Sequence, residues 1–534
     1  MYRRVLEWAL AHRITVVVGA HAILFTILIL FGMFGTGMEF FPATDPKKVY
    51  VDFELPSGSR LETTDAYVQR VEQAMERYPD VSTYVAQSAI SLGMFDFGAT
   101  GGGPTNKGRV SIDMVDREYR QRSSLETMAD LRAELKDVTG AEVVVQKQEE
   151  GPPSGKPVTI EISGEDFQTL GRLSDQILDT IKVVPGLVNL QSDYDKGKPE
   201  IQIHVDRARA AFLGVNTVQI GMAVRTAFYG AQTGSYREDD EDVDITVRFA
   251  EPFRRSVEDI ESLNLLTQDG ALVPLSSVAK VEMVTGLGGI NHVDQDRVVT
   301  VTADVEGRLA NDALVDVKNM LSGYKLPGGY SMTFAGQDDE QNEAMDFLSK
   351  AFGIALFLIL LVLVTQFKSL TTPIIILFTV VLSLGGVFLG LLVTRLPFGI
   401  IMTGVGVISL SGTVVRNAIV LLDYTILLRE RGLSKYDAIV QAGMVRLRPV
   451  LLTAACMVLG LMPMALGVSF DFREFHFIGK TDSTDWWQGL AVAVIFGLSV
   501  ATMLTLVVVP VLYSLVDGFN VKMKKRFGGL VNQE

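Results

Sequence analysis

The sequence predicts a bundle of six membrane-spanning helices that carries a large α+β domain between the first helix and the second. Hydrophobic residues make up 48% of the 534 residues and charged residues 21%, and the two populations separate along the chain. Apolar residues concentrate in residues 14–34 and 351–517, and the charges lie in the block between them. Within that block, strand-like alternation and helical periodicity follow each other, which is typical of a mixed α and β domain.

Six segments are apolar over the roughly 17–25 residues that a bilayer-spanning helix needs. The first follows the charged opening MYRRVLEWALAHR; it is too long for the core of a signal peptide and no small-residue cleavage site follows it, so we expect a retained anchor. The last is longer than a bilayer requires and is expected to tilt or extend beyond it. The predicted spans are 14–34, 351–367, 373–394, 398–422, 449–468 and 487–516.

The basic residues of the short loops predict the orientation, because Lys and Arg concentrate on the cytoplasmic side. With a cytoplasmic N-terminus, only Arg395, Arg473 and Lys480 fall on the outer side. Both termini are then cytoplasmic, and residues 38–346 lie outside the cytoplasm, which means the periplasm if the host has two membranes. The inner side would hold Arg3, Arg4, Arg13, Lys368, Arg429, Arg431, Lys435, Arg446, Arg448, Lys522, Lys524, Lys525 and Arg526.

Composition excludes several classes of function. A formal net charge of −14 argues against nucleic acid as a partner, and a solvated acidic surface explains that charge more simply than a specific cation site. The single cysteine, Cys456, allows no disulfide within the chain. Residues 93–108 are rich in glycine but lack the GK[ST] ending of a phosphate loop. No metal site and no cofactor are expected, since no ligand spacing links His12, His21, His204, His292 and His476.

The polar block predicts two α+β modules. The first shows the order β-α-β-β-α-β, which is ferredoxin-like. A second copy begins at Lys156, and its closing half appears only from Val298, after an insertion at about 197–290 whose acidic segment from Tyr236 predicts a hairpin. A single irregular α+β domain is the alternative. The predicted helices are Leu61–Tyr78, Leu125–Leu135, Phe167–Ile181 and Ala313–Leu321.

Several motifs point to a known family. The most specific are VVRNAIVLLDY from Val414 and RLRPVLLTAACMVLGLMPMAL from Arg446; GMEFFPATDPKKVYVDFELPSGSRLETTD from Gly37, HVDRARAAFLGVNTVQI from His204 and HVDQDRVVTVTADVEG from His292 add to them. With the order of elements, they resemble the C-terminal half of a resistance-nodulation-division (RND) multidrug exporter of the hydrophobe/amphiphile efflux type, over essentially the entire chain.

The resemblance implies a half-subunit of a proton-driven exporter for hydrophobic or amphiphilic compounds, a transporter and not an enzyme. It implies trimers of two-halved protomers, a homologous N-terminal half with mid-membrane carboxylates, a periplasmic adaptor and an outer-membrane channel. Residues 1–37 would hold the N-terminus and first helix, and 336–520 the other five helices, followed by a basic tail at 521–534. The first porter module would be 38–155, the second 156–196 with 291–335, and the docking insertion 197–290.

Arg416 is the ionisable residue that stands out in the predicted spans. A cation at mid-membrane is costly without a carboxylate partner, and the spans offer none; Asp423 lies two turns further on, where a solvated helix-end charge explains it. The resemblance places Arg416 where the family commonly has a lysine that pairs with aspartates of the other half. Arginine effectively keeps its proton, so Arg416 is a candidate for holding and releasing carboxylates. A static salt bridge between helices is the alternative.

Other candidates follow from the resemblance. Asn417 and Thr453 are proposed to hydrogen-bond to the partner carboxylates, although membrane Thr residues often bond their own backbone. Arg446 is a candidate for the proton exit route, although the positive-inside rule explains both Arg446 and Arg448. Phe95 and Phe97 lie in the glycine-rich segment that matches the family's substrate-gating switch loop, where a plain solvent loop is the alternative.

Two other functions stay open from the sequence. The runner-up is an accessory membrane subunit of a protein- or lipid-translocation complex with an RND-like six-helix unit, and a third is an inactive half kept for assembly. Paired porter-like modules and the docking-like insertion favour export. Met1 lies where the family's second half would begin, which fits either a split gene or a chosen boundary.

Overall fold

The computed structural model describes residues 1–90, 103–136, 138–148, 155–195, 197, 199–238, 241–267, 270–286, 288–471 and 475–527. The chain forms two compact units. One contains residues 1–54, 61–193 and 291–534, and the other contains residues 55–60 and 194–290.

The N-terminal segment consists of α1 (Tyr2–Ala11), α2 (Arg13–Phe34) and the short strand β1 (Met38–Glu39). α1 is amphipathic: it buries Leu6, Ala9 and Leu10 in the core of the helical bundle. The chain turns at His12, so the charged opening of the sequence forms a helix of its own before the first membrane span.

The first module is a four-stranded sheet with two helices. The strand order is β3-β4-β2-β5, and all neighbours are antiparallel. Side chains of β4 alternate between buried and half-buried because successive residues of a strand point to opposite faces. Its elements are β2 (Lys48–Glu54), α3 (Leu61–Met75), β3 (Val81–Ser88), β4 (Lys107–Met114), α4 (Ser124–Leu135) and β5 (Glu142–Lys147).

The second module begins with β6 (Val158–Ser163), α5 (Phe167–Ile181) and β7 (Leu187–Ser192). The bounds of α5 match the predicted helix. Asp166 caps this helix by accepting a hydrogen bond from the Thr169 N–H. Its apolar residues recur at helical spacing, so one face is buried against the sheet.

Residues 194–290, which come next in the chain, belong to the second unit. β9 and β10 form an antiparallel hairpin at the acidic segment where a hairpin was predicted; β8 pairs with β13 and β11 with β12, also antiparallel. A separate small core contains Ala210, Val215, Ile220 and Leu275. The elements are β8 (Pro199–Val205), α6 (Arg207–Phe212), α7 (Thr217–Val224), β9 (Ala231–Glu238), β10 (Glu241–Val247), α8 (Val257–Glu261), β11 (Asn264–Leu266), β12 (Leu272–Pro274) and β13 (Ala279–Thr285).

The second module is completed by β14 (Asn291–Val293), β15 (Asp296–Val305), α9 (Ala310–Leu321) and β16 (Ser331–Ala335). β15 pairs with both β7 and β6, and β16 pairs with the other edge of β6. The resulting order, β7-β15-β6-β16, places the second, third, first and fourth strands side by side. The first module has the same order, so the two sheets share one topology although residues 194–290 of the second unit interrupt the second sheet in sequence.

The remaining elements are α10 (Gln337–Phe367), α11 (Thr371–Thr394), β17 (Phe398–Gly399), α12 (Ile400–Glu430), α13 (Lys435–Leu466), β18 (Ser469–Asp471), β19 (His476–Ile478) and α14 (Asp482–Phe527). The five long helices of this region and α2 are each long and apolar enough to cross a membrane. The described residues thus contain six such helices.

The structure corrects several predicted span limits. α10 begins at Gln337 instead of residue 351, α12 continues to Glu430 instead of 422, and α13 begins at Lys435 instead of 449. α14 also runs to Phe527, into the predicted basic tail. Apolar composition marks only the part of a helix that the bilayer covers, whereas backbone hydrogen bonding continues through the polar residues on either side.

α14 lies at the centre of the helical bundle, where it packs against α11, α12 and α13. Glycines make this close approach possible. A Cβ atom on Gly386 of α11 would lie 2.7 Å from the Phe496 carbonyl oxygen and 2.9 Å from the Gly497 Cα of α14. Small residues at such positions let two helix backbones pack directly against each other. α11, α12 and α14 are therefore mostly buried, whereas α2, α10 and α13 are largely exposed.

We expect Gly386→Ala to destabilise the protein by about 1–3 kcal/mol, because a methyl group would press on the α14 backbone. The matched control is Gly353→Ala on α10, where a Cβ atom meets nothing within 4 Å and alanine improves helix propensity. Thermal unfolding of the purified protein in detergent measures both. Equal effects of the two substitutions would contradict the packing argument.

Candidate functional site

Arg416 lies on α12, with its side chain on the exposed surface of the chain. Its guanidinium donates a hydrogen bond to the Met457 Sδ atom of α13, at 3.4 Å. A thioether sulfur is a weak acceptor and carries no charge. No carboxylate of the described ranges pairs with Arg416, so none of them balances its charge.

Asn417 and Thr453 lie next to Arg416, where α12 meets α13. Asn417 is buried, and its Oδ1 atom lies 3.5 Å from the Thr453 hydroxyl. That hydroxyl lies closer to carbonyl oxygens of its own helix, those of Pro449 at 3.1 Å and Val450 at 3.0 Å. The structure thus brings the two predicted residues together, and in this conformation Thr453 bonds mainly to its own backbone.

Met457 is a site residue that the sequence analysis missed. It lies one turn after Thr453, so both occupy the same face of α13. Helical spacing from Thr453 would have identified the position, although nothing in the sequence indicated that a sulfur atom would receive the Arg416 hydrogen bond.

By the predicted orientation, Arg446 and Arg448 lie nearer the cytoplasmic end of α13 than Thr453 does. The Arg446 guanidinium lies 4.5 Å from the centre of the Tyr424 ring on α12, and its buried Nε atom has no hydrogen-bond partner among the described residues. Arg448 is exposed. Asp423 is also exposed, and it lies about 10 Å along the helix from Arg416. It falls inside α12 because this helix extends beyond the predicted span.

Ion pairs attach α14 to its neighbours at both ends. At the outer end by the predicted orientation, Arg117 of the first module pairs with Asp485 at 2.5 Å. Asp45 supports this contact: it pairs with Arg120 at 3.3 Å and accepts a hydrogen bond from the Ser124 N–H at 2.9 Å. These groups are mostly buried, which strengthens their electrostatic interaction.

At the opposite end of α14, Asp517 pairs with Arg429 of α12 at 3.0 Å and with Lys435 of α13 at 3.1 Å. Arg429 also donates to the Tyr513 hydroxyl at 2.9 Å. The turn between α12 and α13 is thus attached to the end of α14. Any movement of α12 that displaces Arg416 must either carry α14 along or break these pairs.

A cavity of about 230 Å³ lies between the two modules and the ends of α10 and α14 nearest to them. Its walls come from α4 and β5 of the first module and from the β15–α9 region of the second, and residues 39–44 contribute as well. Polar contacts join the modules across it. Arg132 pairs with Glu306 at 2.5 Å, the Lys156 ammonium donates to the Gln146 Oε1 atom at 3.1 Å, and the Asn189 amide donates to the Val145 carbonyl at 2.9 Å.

Phe95 and Phe97 lie outside the described residues. The described part of the chain contains no group of three or more His, Cys, Asp or Glu side chains arranged to hold a metal ion.

Comparisons with known proteins agree with this architecture. The model of the AcrB/AcrD/AcrF family matches residues 1–517. The cobalt-zinc-cadmium resistance protein CzcA of Cupriavidus metallidurans (strain CH34) and the cation efflux system protein CzcA of Alcaligenes sp. (strain CT14) are each 30% identical over 364 residues, which is 67% of this chain and 33% of theirs. The chain thus spans about a third of the length of these curated relatives.

Two crystal forms of a heavy metal efflux pump have the same fold. Form II superposes with a TM-score of 0.80 at 25% identity and covers 97% of this chain and 52% of the pump chain. Form I superposes with a TM-score of 0.79 at 25% identity and covers 96% of this chain and 51% of the pump chain. The chain therefore spans about half of these solved structures. The names of these relatives refer to metals, whereas the sequence analysis expected a hydrophobe/amphiphile exporter.

We expect Arg117→Ala and Asp485→Ala each to destabilise the protein by about 1–3 kcal/mol, because each leaves a mostly buried charge without its partner. The double substitution should cost less than the sum of the two, as expected for groups in direct contact. Thermal unfolding in detergent provides this double-mutant cycle.

The control for this cycle is Lys47→Ala, which breaks an exposed pair with Asp116 and should cost less than about 1 kcal/mol. Fully additive effects of Arg117→Ala and Asp485→Ala would mean that the ion pair does not attach the first module to α14.

Proposed function

Because the chain belongs to the AcrB/AcrD/AcrF family, the RND exporters, we propose that it forms half of a proton-driven pump that removes hydrophobic or amphiphilic compounds from the cell. Membership of this family of transporters, which are not enzymes, supports export over the alternative of an accessory subunit in a protein- or lipid-translocation complex.

The observation that carries the proposal is the exposed, uncompensated Arg416 in a membrane-spanning helix. A lone cation in hydrocarbon costs several kcal/mol even on mild scales, about 2.5–3.5 kcal/mol at a helix centre. The surface that holds Arg416 is therefore proposed to face a homologous half whose carboxylates complete the pair. The largely exposed α13 beside it would belong to the same interface.

In this mechanism the partner's carboxylates carry the proton, since an arginine side chain keeps its own. Arg416 would hold the carboxylates while they are charged and release them when protonation removes their charge. Asn417 and Thr453 would supply hydrogen bonds beside that pair, and Arg446 would lie on the route to the cytoplasm. The ion pairs at both ends of α14 would pass the movement of α12 to the first module.

The two modules are interpreted as ferredoxin-like porter modules because their sheets share one strand order. The cavity between them is proposed as part of the substrate path, with Phe95 and Phe97 in a switch loop that contacts substrates. Residues 197–290 would dock onto a periplasmic adaptor or outer-membrane channel. The pump would be a trimer of two-halved protomers in the inner membrane, with both termini cytoplasmic and the modules in the periplasm.

Heavy-metal export is the second candidate. It is supported by the similarity to CzcA proteins and to a heavy metal efflux pump. We favour amphiphiles because the cavity wall combines charged side chains with the aromatic residues Phe40, Phe41 and Trp486. Export from proteoliposomes of an amphiphilic dye or of cobalt, zinc and cadmium ions, by the chain together with its partner half, decides between the two.

We expect Arg416→Ala to reduce transport to background while expression and assembly stay normal, because the partner carboxylates would lose their counter-charge. Arg416→Lys should retain activity, since lysine supplies the same charge. The exposed Arg448→Ala serves as the control for loss of a basic side chain. Dye accumulation in cells measures all three, and normal efflux by Arg416→Ala would rule out the proposed role.

We also expect no transport by this chain alone. Coupling needs a group that changes protonation within the membrane and favours different conformations in its two states, and the exposed Arg416 does not provide one. Proteoliposomes that contain only this chain, under an imposed pH gradient, test the point. Substrate flux that disappears with the gradient would show that the chain carries its own proton-binding group.

A further inference from the structure

A short hairpin joins the last two membrane-spanning helices. Its strands, β18 and β19, pair antiparallel, with Phe470 directly opposite Phe477. Residues 467–481 separate α13 from α14, and each strand has three residues and is therefore about 10 Å long. The hairpin must therefore lie close to the surface of the bilayer that these helices span.

The two faces of this hairpin differ in character. On one face, the His476 Nε2 atom lies 3.5 Å from the Glu118 carboxylate of the first module. Phe477 follows His476, and successive residues of a strand point to opposite faces. Phe470 shares the face of Phe477, because directly opposed residues of an antiparallel pair do so. One face thus meets the first module, and the aromatic face points away from that module.

The aromatic face is packed within itself but is open to its surroundings. The Phe470 ring lies edge-to-face with the rings of Phe477 and Phe475, at centroid distances of 5.2 Å and 6.3 Å. Phe475 and Phe477 are nevertheless 79% and 76% exposed, and Leu466 at the end of α13 is 64% exposed. Large apolar side chains held at a surface in this way gain the free energy of burial only when another apolar phase covers them.

The surroundings of the hairpin favour lipid as that phase. Phenylalanine side chains of interfacial segments insert about 5–10 Å into the boundary between head groups and acyl chains. Trp487, near the start of α14, is also exposed, as is typical of the aromatic belt of a membrane protein. Lys480 follows β19, is exposed, and forms no ion pair with a described residue, so its ammonium group can meet lipid phosphates. The predicted orientation places all of these residues at the outer leaflet.

We infer that Phe475 and Phe477, supported by Phe470, form an aromatic anchor that inserts into the head-group region of the outer leaflet. The partner of this surface is phospholipid. Because the opposite face contacts Glu118, the anchor would also hold the first module at a fixed height above the bilayer. This inference goes beyond the proposed export function and does not depend on it.

The test is site-directed spin labelling of the full chain in vesicles of phosphatidylcholine and phosphatidylglycerol. Cys456→Ser removes the single native cysteine, so that Phe477→Cys then carries the label alone. Power saturation compares collisions with molecular oxygen, which enters the bilayer, and with a nickel chelate, which stays in water. The label should be reached by oxygen and shielded from nickel. Phe475→Cys should give the same result and replaces the first variant if that one does not fold.

Phe212→Cys is the matched control. Phe212 is 90% exposed but belongs to the second unit, which holds none of the membrane spans found among the described residues. Its label should be reached readily by nickel. A label on His476→Cys, on the opposite face of the hairpin, should collide less with oxygen than one on Phe477→Cys.

Two outcomes would overturn the inference. Nickel access at positions 475 and 477 equal to that at position 212 would place the aromatic face in water. Protection of both positions from oxygen and nickel alike would show that protein, such as a second copy of this chain, covers the face. The measurement needs no transport, so failure of the export function is detected separately in proteoliposomes.

Discussion

The close packing of α14 within the bundle is the constraint on which the rest of the structure depends. Gly386 of α11 lies against the α14 backbone, and Gly406 of α12 lies against Leu490 of the same helix. A Cβ atom at Gly386 would lie within 3 Å of the α14 backbone, whereas a Cβ atom at Gly406 would be in ordinary contact at 3.4 Å, so both glycines let α14 pack closely. α14 therefore fixes the positions of α11 and α12 together, and the position of α12 decides where Arg416 meets the membrane.

The ends of α14 extend this control beyond the bundle. Asp485 holds Arg117 of the first module, and Asp517 holds the turn between α12 and α13. Ion pairs suit this purpose because partly buried charges interact strongly yet exchange partners without repacking an apolar core. In the proposed pump, one helix thus connects a membrane helix that responds to the partner half with a module that contacts substrate.

Charge balance sets Arg416 apart from the other charged groups. It is a cation with a sulfur atom as its neighbour, and among the described residues no carboxylate pairs with it. This is the observation that supports the proposed partner half. Most other mostly buried charged groups described here, such as Asp45 and Asp52, have partners within the chain.

The sequence by itself predicted the six apolar helices and the order of strands and helices in the block between them, and it marked Arg416 as a candidate. Each depends on local properties: apolar length, strand and helix periodicity, and the cost of one charge in hydrocarbon. Even the bounds of α5 followed from its periodicity. Helix limits such as those of α10 and α13 did not, because hydropathy falls where a helix leaves the bilayer although the helix itself continues through polar residues.

Only the tertiary structure decided which distant residues meet. Arg117 and Asp485 are 368 residues apart in sequence, and nothing in the motif that contains Glu39 marks it as a cavity residue. Nor did the sequence show that Met457 receives the Arg416 hydrogen bond or that Thr453 bonds to its own helix. These contacts depend on how the helices and sheets pack, and packing depends on side chains that are far apart in the chain.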